Sequence, residues 1–236
     1  MKYLKIARFI GVAIIITGVV LLFTNPKAEN NLMPGFKTPI IAFEFINSKE
    51  AVQQYFTVQN PEQYEQQMLL GNKIDYLFMC LYSSFIFCIA MFIKKSTSSK
   101  LMNIAILMSV LMLLGDALEN SQIHQLIIKR NIDLNAINPI DNYALYGVHL
   151  SLLHIFTWLK WSAIACSFVV FATYFIKGNL FYKTIAMAAV SSFIIGIATF
   201  VNPGFSSELF STNVLLVFVM LIVFTFTNNL VPMMKT

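Results

Sequence analysis

Apolar residues run in six long stretches along the chain, separated by two short lysine-bearing connections on alternate turns and, on the others, by two long polar loops and one short one. The stretches cover residues of about 4–24, 75–93, 101–120, 150–176, 184–202 and 211–230, each close to the roughly 20 residues that cross a hydrocarbon core as a helix. The first follows Lys2, Lys5 and Arg8, a layout shared by signal peptides and signal anchors. No small-x-small cleavage pattern surrounds Thr24-Asn25-Pro26-Lys27, so the expectation is an uncleaved first helix. The pattern predicts an all-α, polytopic membrane protein: one six-helix bundle with a partly helical extracytoplasmic loop.

Composition agrees with the pattern. The 236 residues are 58% hydrophobic and 11% charged, with a mean hydropathy of +0.72, whereas soluble domains carry about 25% charged residues. Six such runs in so short a chain leave nothing that could bury them in water. A secreted or cytosolic enzyme and a nucleic-acid module are excluded, the +5 net charge being spread thinly.

The charges divide by side. Lys2, Lys5, Arg8, Lys94, Lys95, Lys100, Lys177, Lys183 and Lys235 fall in the short connections and tails of one side, which the positive-inside rule makes cytoplasmic. Lys27, Lys37, Lys49, Lys73, Lys129 and Arg130 are diluted in the longer loops opposite, and Lys160 stands within a span. The acidic residues, which the rule does not use, all land on that opposite side or near its boundary. The expectation is therefore a cell-membrane protein with both termini cytoplasmic and two substantial outer loops, 25–73 and 121–149.

The first outer loop is too long for a simple connection. Ser48 before Lys49-Glu50-Ala51 predicts a capped short helix, and Asn60-Pro61-Glu62 predicts the start of another. The segment 39–46 is apolar except for Glu44 and too short to span, so it is expected to pack on the bundle mouth or dip into the interface. The second outer loop, Asn-rich with Pro139, permits an extension of the third span through 122–128. There is no internal repeat and no low-complexity segment. Cys80, Cys88 and Cys166 all fall within spans, so no disulfide is predicted. Phosphate-cradling glycine loops, paired-cysteine motifs and hydrolase elbows are absent, and no cofactor is implied.

The informative feature is a set of ionisable residues at one depth. At about 1.5 Å per residue from the cytoplasmic helix ends, Asp116 lies about 22 Å up, Lys160 about 24 Å, and Glu119 and Asp75 about 27 Å. In a core about 30 Å thick, that is just below the outer boundary. Asp116, Glu119 and Asn120 share one face of the third span at i, i+3 and i+4, with His124 continuing the stripe if the helix persists. Thr157 lies one turn from Lys160, and Tyr82 shares the stripe of Asp75. An ionisable group at bilayer depth costs up to about 3 kcal/mol, so four together need a reason.

Two explanations stand. Lys160 could pair with Asp116 or Glu119 as a register-fixing salt bridge while Asp75 and Glu119 reach the headgroups, or it could snorkel outward beside an interfacial Trp158 and Trp161. Alternatively the carboxylates outnumber the lysine within one pocket, which then needs protons or a cationic ligand and suits acid/base work or proton-linked binding. His124, His149 and His154 lack metal-ligand spacing, and no metal site is predicted. Asn228-Asn229 with Pro232 reads as a helix stop, and Ala188, Ser192 and Gly196 as a small-residue stripe for close helix packing.

The patches Ala42-Phe43-Glu44, Ile74-Asp75-Tyr76-Leu77-Phe78, Gly115-Asp116-Ala117-Leu118-Glu119-Asn120 and Lys160 together resemble a set found in uncharacterised bacterial multi-pass membrane proteins. There an Asp-x-x-Glu-Asn motif follows an Asp-Phe-Leu-Phe-like helix start, from which this chain departs at Tyr76. The resemblance implies that Glu44 belongs with the buried charges and that the long loop is a lid; it implies no activity.

Three function classes follow. An outer-leaflet enzyme would use Asp116, Glu119 and Lys160 as catalytic candidates, with Glu44, Asp75, Tyr82, Asn120 and Thr157 as ligand-binding candidates for an amphipathic or lipid-like ligand. A small-molecule transporter would need deeper polar groups, of which Ser191, Ser192 and Asn103 are the main ones. A structural or assembly subunit would use the charges only as a lock. The partners expected are the lipid bilayer and an amphipathic ligand, not nucleic acid; oligomeric state and substrate are not legible.

Overall fold

A computed structural model describes residues 2–29, 31–135 and 143–227, with the side chains of 133–135 and 143–145 left aside. The expected helix stop at Asn228, Asn229 and Pro232 lies outside the described residues. Eight helices follow in chain order: α1 Lys2–Thr24, α2 Pro39–Glu44, α3 Lys49–Tyr55, α4 Pro61–Thr97, α5 Met102–Asn135, α6 Tyr143–Phe175, α7 Leu180–Val201 and α8 Phe205–Thr227. Six of them are long and apolar enough to cross a membrane. This is a multi-pass membrane protein built as a helical bundle.

The six long helices close a ring. α1 packs on α4, α4 on α5, α5 on α6, α6 on α7 and α7 on α8, and α8 returns to α1. At one end, here the basic end, Arg8 donates from Nε to the Thr225 carbonyl and Lys95 lies over the Tyr3 ring. The small-residue stripe on α7 is a packing seam: Asn213 of α8 donates to the Ala188 carbonyl at 3.0 Å and to Ser192 Oγ at 2.7 Å, and Phe210 sits over Gly196.

The helix boundaries correct the sequence expectation. α4 does not begin at 75: the helix opened by Asn60-Pro61 and the second span are one 37-residue helix, about 55 Å long. α5 runs past 120 and 128 to Asn135, α6 begins at Tyr143 and not 150, and α8 begins at Phe205 and not 211. Hydropathy marks where lipid contact stops, but polar residues with good helix propensity do not end a helix once it leaves lipid. α1, α7 and α8, at 22 to 23 residues, match a bilayer, whereas α4, α5 and α6 project beyond it at the loop end.

Those projecting ends carry a second core. Phe43 and Ile46 from the α2 segment and Val52, Tyr55 and Phe56 from α3 pack with Tyr64 and Met68 of α4, Ile123, Leu126 and Ile127 of α5, and Tyr146, Leu150 and Leu153 of α6. Ser48 caps α3 by accepting from the Ala51 N–H at 3.1 Å, as its sequence predicts. Burial among aromatic neighbours pushes the Tyr55 hydroxyl well above its ordinary pKa, with Tyr64 adding to the effect. α2 is a short helix lying across the bundle mouth. Its approach is fixed from α8, where Glu208 Oε1 accepts from the Lys37 and Thr38 N–H groups at 2.8 Å each and Oε2 accepts from Thr38 Oγ1 at 2.7 Å. Gly35, at φ +88°, turns the chain there, close against the backbone of Phe205.

Candidate functional site

The site forms where α2 covers the mouth. On α5, the i, i+3, i+4 spacing sets Asp116, Glu119 and Asn120 on one face, all nearly fully buried. Gly115 lets that face meet α6. A Cβ added there would stand 2.9 Å from the Lys160 backbone nitrogen and 3.2 Å from the Phe156 carbonyl, so a side chain at 115 would push the two helices apart. The contact brings Lys160 directly onto the acidic stripe.

Lys160 does not snorkel. It is 6% exposed, and its Nζ lies 2.7 Å from Glu119 Oε1, 3.0 Å from Glu44 Oε1 and 3.6 Å from Asp116 Oδ1. The ammonium's three donors are thus surrounded by three carboxylates from α2 and α5. Glu44 is fixed twice more, accepting from Trp161 Nε1 at 2.9 Å through Oε2 and from Thr157 Oγ1 at 3.4 Å through its carbonyl. Trp161 is therefore part of the polar cluster and not of an interfacial belt. Asp116 also accepts a short hydrogen bond from the Tyr82 hydroxyl.

Asp75 stands apart from this knot. Its Oδ2 accepts from Asn120 Nδ2 at 2.7 Å, and the Asn120 carbonyl in turn accepts from Asn72 Nδ2 at 3.0 Å. No ammonium or guanidinium contacts Asp75 among the described residues. Asn72, 5% exposed, keeps its Oδ1 without a hydrogen-bond partner, and Glu119 Oε2 is likewise unmatched.

Beside these groups lies a cavity of about 240 Å³. Asn25, Asn72, Asp75, Tyr82, Asp116, Asn120, Glu44, Lys160 and Ser211 contribute its polar wall; Ile14, Leu21, Phe78, Val214, Leu215 and Phe218 are among its apolar residues. Glu119 lies behind Lys160 and does not line it. Leu215 is both a wall residue and 60% exposed on the outside of the bundle. At the basic end α1 and α8 touch, Gly11 against Ile222; nearer the loop end the two helices flank the cavity. The cavity thus faces lipid sideways, between α1 and α8.

The comparisons with protein-family models, with curated proteins and with solved structures find no match to this chain. Function must be read from geometry.

The structure brings together all eight residues singled out from sequence: Glu44, Asp75, Tyr82, Asp116, Glu119, Asn120, Thr157 and Lys160. His124 is a correction: α5 does persist to it, but the side chain is exposed and leaves the stripe. His149 Nδ1 pairs with Gln122 Oε1 at 2.7 Å, and His154 sits against the Trp158 ring, both away from the cluster. Sequence reasoning missed Asn72, one turn before Asp75 on the same stripe and so visible in principle. It also missed Gly115, whose neighbour Asp116 drew the attention, and Glu208, whose backbone partners no spacing could reveal.

Proposed function

We propose that this is a cell-membrane protein, both termini cytoplasmic, whose extracytoplasmic half binds or processes an amphipathic or lipid-like ligand in the cavity under α2. The observation that carries this is the division of one cavity wall into a polar side, Asn72, Asp75, Asp116 and Asn120, and an apolar side that is continuous with lipid-facing surface at Leu215. Amphiphiles present that same division. The orientation is supported by the basic residues gathered at the Arg8 and Lys95 end, away from the acids. A role as transporter is less well supported: Ser191 and Ser192 are held by Asn213, Asn103 faces outward, and the buried hydroxyls of Ser109 and Ser167 are turned onto carbonyls of their own helices.

The test is to fill the space. Val214→Trp should abolish retention of any co-purifying amphiphile, read by mass spectrometry of the protein extracted in lipid discs, while helicity and monodispersity are kept. Unchanged retention would contradict the proposal.

A second account has its own observation, since Lys160 is saturated by direct contacts from three carboxylates. In that account the cluster locks helix register and the loop offers a partner surface. Lys160→Met combined with Asp116→Leu, Glu44→Gln and Glu119→Gln would then fold normally and keep its partner; a ligand site would lose its ligand.

A further inference from the structure

We propose that the polar end of the ligand is a protonated amine bearing N–H donors, held by Asp75 and Asn72 and delivered sideways between α1 and α8. This rests on the amphiphile reading above and names the headgroup chemistry. Three features of the wall decide it. The first is charge: Glu44, Asp116 and Glu119 share Lys160, which leaves Asp75 as the cavity-wall carboxylate without a cation. A carboxylate beside an apolar cavity is compensated when a cation arrives, and the three shared acids already leave the cluster short of positive charge.

The second is donor and acceptor polarity. Asn72 Oδ1, buried and unmatched, is an acceptor, as is the Asp75 oxygen not used by Asn120. Of the donors nearest these acceptors, Asn120 Nδ2 is turned to Asp75 and Asn72 Nδ2 to the Asn120 carbonyl, while Asn25 and Ser211 are the other uncharged polar residues of the lining beside Tyr82. Lys160, the one ammonium on the wall, is surrounded by carboxylates, so a phosphate or sulfate headgroup finds no free cation there. Asn72 and Asp75, at i and i+3 on α4, together present acceptors to one incoming group. A primary ammonium supplies N–H donors to both; a quaternary ammonium supplies none.

The third is shape. At about 240 Å³ the cavity is smaller than the roughly 300–1,000 Å³ of sites that enclose a drug-sized ligand. It holds a headgroup and the first carbons of a chain, with the remainder leaving past Leu215 and Leu21 into lipid.

The experiment uses the full chain in lipid discs and a photoactivatable alkylammonium with its diazirine beside the headgroup. Labelled peptides are mapped by mass spectrometry, and unlabelled alkylammonium, alkyltrimethylammonium and alkyl sulfate of matched length compete. Labelling is expected on the segments of α4 and α8 that line the cavity. The primary ammonium should compete about tenfold better than the trimethylammonium, as expected for loss of a charge-assisted hydrogen bond, and the sulfate should not compete. Asp75→Asn, which preserves the bond to Asn120, should weaken competition by a similar factor with Lys160 and its carboxylates undisturbed. Cavity labelling competed equally by trimethylammonium or sulfate overturns the amine inference and leaves the amphiphile reading standing. So does cavity labelling by a matched neutral probe where the ammonium probe gives none. Failure of every headgroup to label the cavity overturns both.

Discussion

The two ends of the bundle solve the same packing problem differently. At the basic end aromatic side chains of four helices interlock, Phe224 meeting Phe175 edge-on at 4.9 Å and Tyr182 at 5.4 Å with Phe92 beside it, and Arg8 ties α1 to α8, although a groove of about 540 Å³ opens beside Thr97, Lys177 and Tyr182. At the loop end α1 and α8 flank a cavity, and beside the second hydrophobic core α6 is joined to α2 and α5 by ion pairs through Lys160. Between α1 and α8 the difference is local: Gly11 meets Ile222 toward the basic end, and the cavity lies beside the ionic cluster toward the loop end. The comparison teaches that the loop end keeps space beside its polar constellation, which is what the proposed ligand site requires.

The largest effect expected from breaking this contrast is at Lys160. Lys160→Met leaves Glu44, Asp116 and Glu119 buried without their cation, and loss of one partner of a buried ion cluster costs about 3–5 kcal/mol. A marked fall in thermal midpoint in detergent checks it. Gly115→Ala comes next, because its Cβ meets α6 backbone, which cannot rotate away; overpacking of this kind costs about 1–3 kcal/mol and should also loosen the Lys160 knot. At the opposite end Phe224→Leu should lower stability by about 1 kcal/mol through lost ring contacts yet leave amphiphile retention unchanged. If retention fell with it, the two ends would not be separable.

Glu208→Gln is the gentlest. It keeps the shape but weakens the three hydrogen bonds that hold residues 37 and 38, so α2 should open more readily while the bundle stays intact. Faster amide exchange in residues 37–46, with stability altered by about 1 kcal/mol or less, is the expected result.

Much of this was legible in the sequence, and the limits have physical causes. Six spans follow from apolar run length alone, and the α5 stripe follows from spacing, because both depend on the period of one helix. Depth counting brought Asp75, Asp116, Glu119 and Lys160 to one level correctly, since rise per residue does not depend on neighbours. The helix ends did not follow, as α4 continues through Gln67 and Lys73 without regard to hydropathy. Contacts between distant segments were equally hidden: Glu208 clamping residue 38, Trp161 turning inward to Glu44 and Gly115 admitting α6 all depend on which helix faces which. Tertiary neighbours are not written in a local period.

The most direct test of the central claim is a crystal structure grown from a lipidic mesophase with the cell's own lipids retained. The account predicts an elongated molecule in the cavity, its polar end against Asn72 and Asp75 and its chain leaving between Leu21 of α1 and Leu215 of α8. A dry cavity, with α1 and α8 closed over it and Asp75 paired to a protein cation, would contradict it.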